Sequence, residues 1–268
     1  MLYDEFDWLD TGVNSPSEWQ APAAAQRSTS ILHDEAAFMR LPVSTLLASD
    51  IFQAVYARKR IHAQKVRITT TDPTRSISYT GERLDQFDLD VLLASLGSSA
   101  LAGMQSGRCA AMRLGGIARA MNRTDDDAVR HKVGMSLYRM AAGLLEISSG
   151  KRSYTLRLIN RLLLDLEEGR CVVEFTPQVM AAFRELPDMH SFTRSRFALD
   201  VHSLARWMHG IVHVSSEVCI PYEQLLRLSG NAAARPDAFS ATARRLQIGS
   251  ALPLQQKDNW GIIITRHG

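Results

Sequence analysis

Cysteine is scarce. Cys109, Cys171 and Cys219 are the three in 268 residues. Odd in number and widely separated, they form neither a disulfide framework nor the paired spacing of a zinc knuckle, which leaves buried, reduced thiols. Long apolar runs are also missing: none approaches the ~18 residues that cross a bilayer. Met1-Leu2-Tyr3-Asp4-Glu5 places acid where a signal peptide carries base. A cytoplasmic protein with no membrane partner is therefore expected.

The marks of catalysis are absent as well. Gly115-Gly116 precedes no Lys-Ser/Thr, and neither Gly-x-Gly-x-x-Gly nor Gly-x-Ser-x-Gly occurs. His202, His209 and His213 fall on one side of a helix, but no Glu adjoins His209 and no Cys or acid comes into register. Packed or capping histidines account for them better than a metal does. Asp85, Asp88 and Asp90 are the residue type of a two-metal nuclease, yet on a helix they fan around the first turn, where capping explains them. No enzymatic activity, cofactor or metal is expected.

What the chain does contain is an ordinary globular composition, 46% apolar and 22% charged, with an uneven charge distribution. Residues 1–40 hold seven acids against Arg27 and Arg40, a net −5, and residues 41–268 carry a net +8. A basic body suits a polyanion, because clustered Lys and Arg release the counterions condensed on phosphate; a merely solvated surface is the alternative. Gly12 to Ser30, with Pro16, Pro22 and an Ala triplet, has no apolar period and reads as a flexible acidic leader. Within the leader, Phe6, Trp8 and Leu9 alternate with acids. Such a segment is suited to docking in a partner's groove, unless it is simply an inert tail.

From Leu41 the pattern becomes regular. A helix is expected over Ser49–Ile61, strands over Lys65–Thr70 and Ser76–Thr80, and a helix capped by Asp85 running to about Ser99. Met112–Met121 reads as a short helix. Thr124-Asp125-Asp126-Asp127 caps a further one, whose Val129, Val133, Leu137, Met140 and Leu144 step by three, four or seven and share a face. Strands over Leu145–Ser148, Ser153–Leu158 and Cys171–Phe175 alternate with turns at Ser149-Gly150-Lys151-Arg152 and Glu167-Glu168-Gly169-Arg170, which make hairpins. Helix, turn, helix and hairpin outline a winged helix-turn-helix. The outline recurs with a long helix over Leu199–Val214, a short one over Pro221–Leu228, a candidate recognition helix over Pro236–Ile248 and a strand over Asn259–Thr265. The expected fold is α+β: a leader over 1–40, then tandem winged-helix domains over 41–175 and 176–268.

Tyr79-Thr80-Gly81-Glu82-Arg83-Leu84-Asp85-Gln86-Phe87-Asp88-Leu89-Asp90-Val91 resembles a landmark of the TrfA family of plasmid replication initiators. Leu204-Ala205-Arg206-Trp207-Met208-His209-Gly210, followed by Pro221-Tyr222 and Leu228-Ser229-Gly230, is similar to the family's second-domain helix, and Gly150-Lys151-Arg152-Ser153-Tyr154 to its first wing. The resemblance covers about 41–268. It implies binding to double-stranded origin DNA at direct repeats (iterons), opening of neighbouring AT-rich DNA, and recruitment of the host initiator and replicative helicase. It also admits a homodimer. A tandem winged-helix repressor, acting on its own gene, is the alternative.

On the helix after Asp126, the side opposite the apolar stripe carries Asp127, His131, Met135, Tyr138 and Arg139, with Lys132 at its edge. Arg139 has the fork for a guanine edge, and His131 and Lys132 suit bases or phosphates; a mixed solvated face is the alternative reading. Lys151, Arg152, Tyr154 and Arg157 are assigned to the wing. In the second half Arg244 and Arg245 face outward, with Arg235 at the helix start, and complete the expected DNA contacts.

Overall fold

The computed structural model describes residue 35, residues 37–55, 60–101, 109–199, 202–214, 218–231, 235, 237–242 and 244, and the backbone of 254–257 and 261–264. Helix α1 (Val43–Leu47) leads to β1 (Phe52–Gln53), β2 (His62–Ile68), β3 (Ser76–Glu82), β4 (Leu84–Asp85) and α2 (Gln86–Leu101). Over the described residues 49–55 and 60–61, the helix expected across Ser49–Ile61 does not form. Ser49 turns its hydroxyl back to Thr45 O and accepts from Ile51 N at 3.2 Å, and Asp50 takes Thr69 N at 2.6 Å. Those side-chain bonds end the helix, and Phe52–Gln53 then pair in parallel with Leu84–Asp85. Residues 56–59 lie outside the described residues.

The first winged-helix unit is α2, β5 (Ala110–Arg113), α3 (Leu114–Ala120), α4 (Asp127–Ala142) and the hairpin β8 (Ile159–Asp165)–β9 (Arg170–Phe175). Its three-stranded sheet runs β5-β9-β8, all antiparallel. The helix expected from Met112 starts two residues late because Ala110–Arg113 are drawn into extended pairing with β9, a long-range partner that overrides local propensity. Between α4 and β8 sits a second hairpin, β6 (Leu144–Ser149) and β7 (Arg152–Leu156), which joins β2 and β3 in a separate four-stranded sheet, β2-β3-β6-β7.

After α5 (Pro177–Arg184) and α6 (Met189–Ala198), the same order returns. Helix α7 (Ser203–Val214), β10 (Val218–Pro221) and α8 (Tyr222–Ser229) are followed by a helical segment at 237–242 and by β11 (Leu254–Lys257) and β12 (Gly261–Ile264). The sheet runs β10-β12-β11. In both units the first strand pairs with the last, and the middle strand lies outside. Both first strands also pass without a linking residue into the next helix, at Arg113/Leu114 and Pro221/Tyr222. The helix expected from Leu199 starts at Ser203 instead, since Leu199 is extended and ends α6. Of the expected 236–248 helix, 236, 243 and 245–248 lie outside the described residues.

Two cores form. Leu92, Leu93, Val133, Leu137, Met140, Val173 and Phe175 belong to the first. Trp207, Met208, Leu225, Leu228 and Phe239 belong to the second, with Ala48 and Ala54 from the start of the body. Arg40–Gly268 makes one unit by chain contacts and Met1–Met39 another. Among the described residues no helix is long and apolar enough to cross a membrane.

Candidate nucleic-acid interface

Helix α4 starts where Asp126 Oδ1 accepts Val129 N at 2.8 Å, the cap expected from the acid run. Asp125 stands aside and holds Arg130 at 2.6 Å and Arg119. Val133, Leu137 and Met140 are buried, as their spacing requires, while Val129 is half-buried and Leu144 opens β6. His131, Lys132 and Tyr138 are exposed, Tyr138 at 56%, and Met135 is half-buried. These four form a continuous strip of the expected reading face.

Arg139 does not join them. Its Nη2 donates to Asp88 Oδ1 at 2.7 Å and its Nε at 3.2 Å, and its side chain is 10% exposed. A guanidinium committed to a buried carboxylate is not available to a base edge, so Arg139 is withdrawn from the DNA contacts.

The assignment of the first wing is corrected too. Lys151, Arg152, Tyr154 and Arg157 belong to the β6–β7 hairpin and its exit, in the four-stranded sheet. Lys151, Arg152 and Arg157 are exposed, but Tyr154 packs against the first core. The hairpin in the place of the wing is β8–β9, which closes the three-stranded sheet. It lies directly on α4: a Cβ added at Gly134 would stand 2.7 Å from Leu166 Cδ2. Gly169, at φ +61°, makes the turn, and its carbonyl accepts Leu114 N at 2.9 Å, which ties the wing to the start of α3. The tip carries Glu167 and Glu168, with Arg170 beside it paired to Glu168 at 3.7 Å, and at the far end of the hairpin Arg161 is paired with Glu174 at 3.3 Å. A tip of this sign does not favour phosphate.

In the second unit Arg244 is exposed, and Arg235 is exposed with Asp237 at 3.3 Å. Arg245 lies outside the described residues, as do Phe6, Trp8 and Leu9.

Buried ionic networks were missed by sequence reasoning. Asp85 Oδ1 accepts Phe87 N at 2.9 Å and Asp88 N at 3.3 Å, and Asp88 Oδ2 returns a bond to Asp85 N at 2.9 Å, so the capping reading describes these two. Asp88 is also bound by Arg60 at 3.1 Å and by Ser136 Oγ at 2.7 Å. Asp90 caps nothing and is gripped by Arg196 and Arg206. The signal was present in the sequence. Acids set among Leu89, Val91, Leu92 and Leu93 must be buried, and a buried acid needs a cation.

The histidines are packed. His209 Nε2 lies 2.9 Å from Ser195 Oγ, which itself donates to Phe192 O. His209 therefore donates to the serine through Nε2–H and leaves Nδ1 without a partner. His213 stacks on it at 4.2 Å, and His202 Nδ1 accepts Ala205 N at 3.3 Å as a cap. Among the described residues no group of three His, Cys, Asp or Glu is set to hold a metal. Burial pushes the His209 imidazole well below its ordinary pKa, with His213, Arg196 and Arg206 adding positive charge nearby. Held neutral in the fold, His209 takes up a proton on unfolding. Its contribution is thus complete above the unfolded pKa of about 6.5 and falls by about 1.4 kcal/mol per pH unit below it. Thermal melts at descending pH should show this slope and His209→Gln should flatten it; an unchanged slope would place the acid sensitivity elsewhere.

No family's sequence profile matches the chain, and no curated protein matches it by sequence. Among solved structures it is similar to domains 2 and 3 of RctB, with a TM-score of 0.58 and 13% identity over 84% of this chain and 99% of that one. A second structure of RctB domains 2–3 gives 0.55 and 12% over 78% and 93%. The Pi initiator protein in complex with iteron DNA gives 0.43 and 11% over 67% and 96%. The likeness to the RctB domains is one of fold.

Proposed function

We propose that the protein is a plasmid replication initiator that reads directly repeated origin sites with its two winged helices. The observation that carries this reading is the repetition itself: two units of one topology in one chain, with His131, Lys132, Met135 and Tyr138 on one recognition helix, and Arg244 on the second helical segment with Arg235 just before it. A tandem reader fits sites that repeat in one direction, whereas palindromes mirror a twofold axis between protomers. The TrfA-like run at Tyr79–Val91 supports the plasmid setting. In this reading the protein recruits the host initiator and helicase, hydrolyses nothing and needs no nucleotide or metal. Opening is driven by binding: protomers on adjacent repeats bend the duplex, and the deformation falls on flexible AT-rich steps.

The experiment is footprinting on the DNA flanking the gene, followed by chemical probing of unpaired thymines on supercoiled plasmid, in chelator and without ATP. Protected direct repeats beside a reactive AT-rich tract are expected. A single protected inverted repeat over the promoter would make the protein a repressor, and opening that depends on ATP or a divalent ion would refute the binding-driven mechanism.

A further inference from the structure

The Asp90 carboxylate lies between elements of both winged-helix units. It projects from α2, the first helix of the first unit, with 1% of its side chain exposed. Its Oδ1 accepts Arg196 Nε at 2.8 Å, from α6, and its Oδ2 pairs with Arg206 Nη1, from α7, the first helix of the second unit. Arg196 continues through Nη2 to Gln86 Oε1 at 2.7 Å, and Gln86 Nε2 donates to Phe52 O at 2.6 Å. Arg206 Nη2 reaches Leu199 O at 3.3 Å. Both guanidiniums are sealed from solvent, at 0% and 2% exposure.

A buried ion triad adds little net stability compared with apolar residues of the same volume, because desolvation offsets the attraction. What it supplies is geometry. Apolar surfaces can slide, whereas forked, charge-assisted bonds hold over a narrow range of distance and angle. Asp90 and Arg206 also belong to the two separate sequence landmarks, so the contact joins the two best-marked segments of the chain. We propose that Asp90, clasped by Arg196 and Arg206, is a positioning residue that fixes the rotation and distance between the two recognition faces, and so sets the spacing of the DNA subsites the protein accepts. The spacing half of this proposal rests on the DNA-binding reading above; the clasp half does not.

The test uses the full chain with Cys109→Ser and Cys219→Ser, spin-labelled at Ala142→Cys at the end of α4 and Glu223→Cys on α8, both exposed positions outside the proposed DNA contacts. Without DNA, the parent should give one narrow interlabel distance distribution, and Asp90→Asn should broaden it by roughly twofold or more as the units gain hinge freedom. Arg206→Lys keeps the charge and loses the fork, and should broaden it too, which covers the case in which Asp90→Asn does not fold. Leu92→Ala destabilises the core without touching the clasp and should leave the width unchanged. With DNA, inserting about 5 bp between subsites should cost the parent ~10²-fold in affinity and Asp90→Asn less than about tenfold. Unchanged widths in both clasp variants, or equal broadening in Leu92→Ala, would overturn the clasp. Clasp variants with the parent's spacing preference would overturn its role in DNA reading. A parent without affinity for repeated DNA would remove the function and the spacing half, while the label distances still decide the clasp.

Discussion

Asp88→Ala is expected to cost about 3–5 kcal/mol of folding stability, the penalty for breaking a buried ion pair from one side. The substitution leaves the Arg139 guanidinium buried without its anion, removes the acceptor of Ser136 Oγ and deletes the return bond to Asp85 N that completes the cap of α2. Arg139→Ala is milder, because Asp88 keeps Arg60 and Ser136, but it still opens a cavity against α2. Urea denaturation of both variants measures the losses. A double replacement, Asp88→Leu with Arg139→Met, should be less destabilising than Asp88→Ala, because no stranded charge remains. The DNA readout separates this account from the sequence reading of Arg139 as a guanine contact. An Arg139→Ala protein with unchanged stability and relaxed preference at one base would return Arg139 to the groove.

The Arg139 case shows where sequence reading reaches its limit. Helical spacing identified the inner face of α4 because Val133, Leu137 and Met140 are apolar, and that face is buried as expected. The same wheel treats every polar residue as outward. Only a neighbour from another helix draws one in, and Asp88 lies 51 residues away in the chain. Sheet membership is also non-local. The β6–β7 hairpin was legible from Leu145, Ile147 and the turn at Gly150, but its pairing with β3 rather than with the winged-helix sheet depends on Ser76–Thr80 opposite Leu144–Ser148. Strand β5, Ala-Ala-Met-Arg, has no alternation of its own and is extended because β9 pairs with it. Strand order was not legible either: the strands at Ile159–Asp165, Val218–Pro221 and Leu254–Lys257 carry no pattern that marks them in the sequence, and the order shared by both three-stranded sheets emerges only from their long-range pairing.

The landmark residues take on a different meaning once placed. Arg83 holds Asp50 at 3.0 Å, Asp85 holds Arg60 at 2.8 Å, Gln86 reaches Phe52 O, and Asp88 and Asp90 are each bound by two arginines. A run that reads as a marker of DNA-binding function is occupied with internal bonds. The exposed residues of the α4 reading face, His131, Lys132 and Tyr138, lie outside it.

Binding to repeated DNA should weaken by roughly 10³–10⁵ between about 50 and 200 mM salt if some 6–10 phosphates are neutralised. With Arg139 buried and an acidic wing tip, those contacts must come from exposed cations elsewhere, among them Lys132, Lys151, Arg157, Arg235 and Arg244. Each removed phosphate contact should lower the slope of log affinity against log salt by about one, with little change in sequence preference. Lys132→Ala and Arg235→Ala are expected to behave this way. Arg244→Ala should instead lose about 1–3 kcal/mol and relax one base if it forks onto guanine. Stability controls are simple, since all three side chains are exposed and their removal opens no core. Titrations by fluorescence anisotropy at five salt concentrations give the slopes. A flat salt response in the parent would contradict the DNA reading, and slopes unchanged in all three variants would move the contact surface off the two recognition helices.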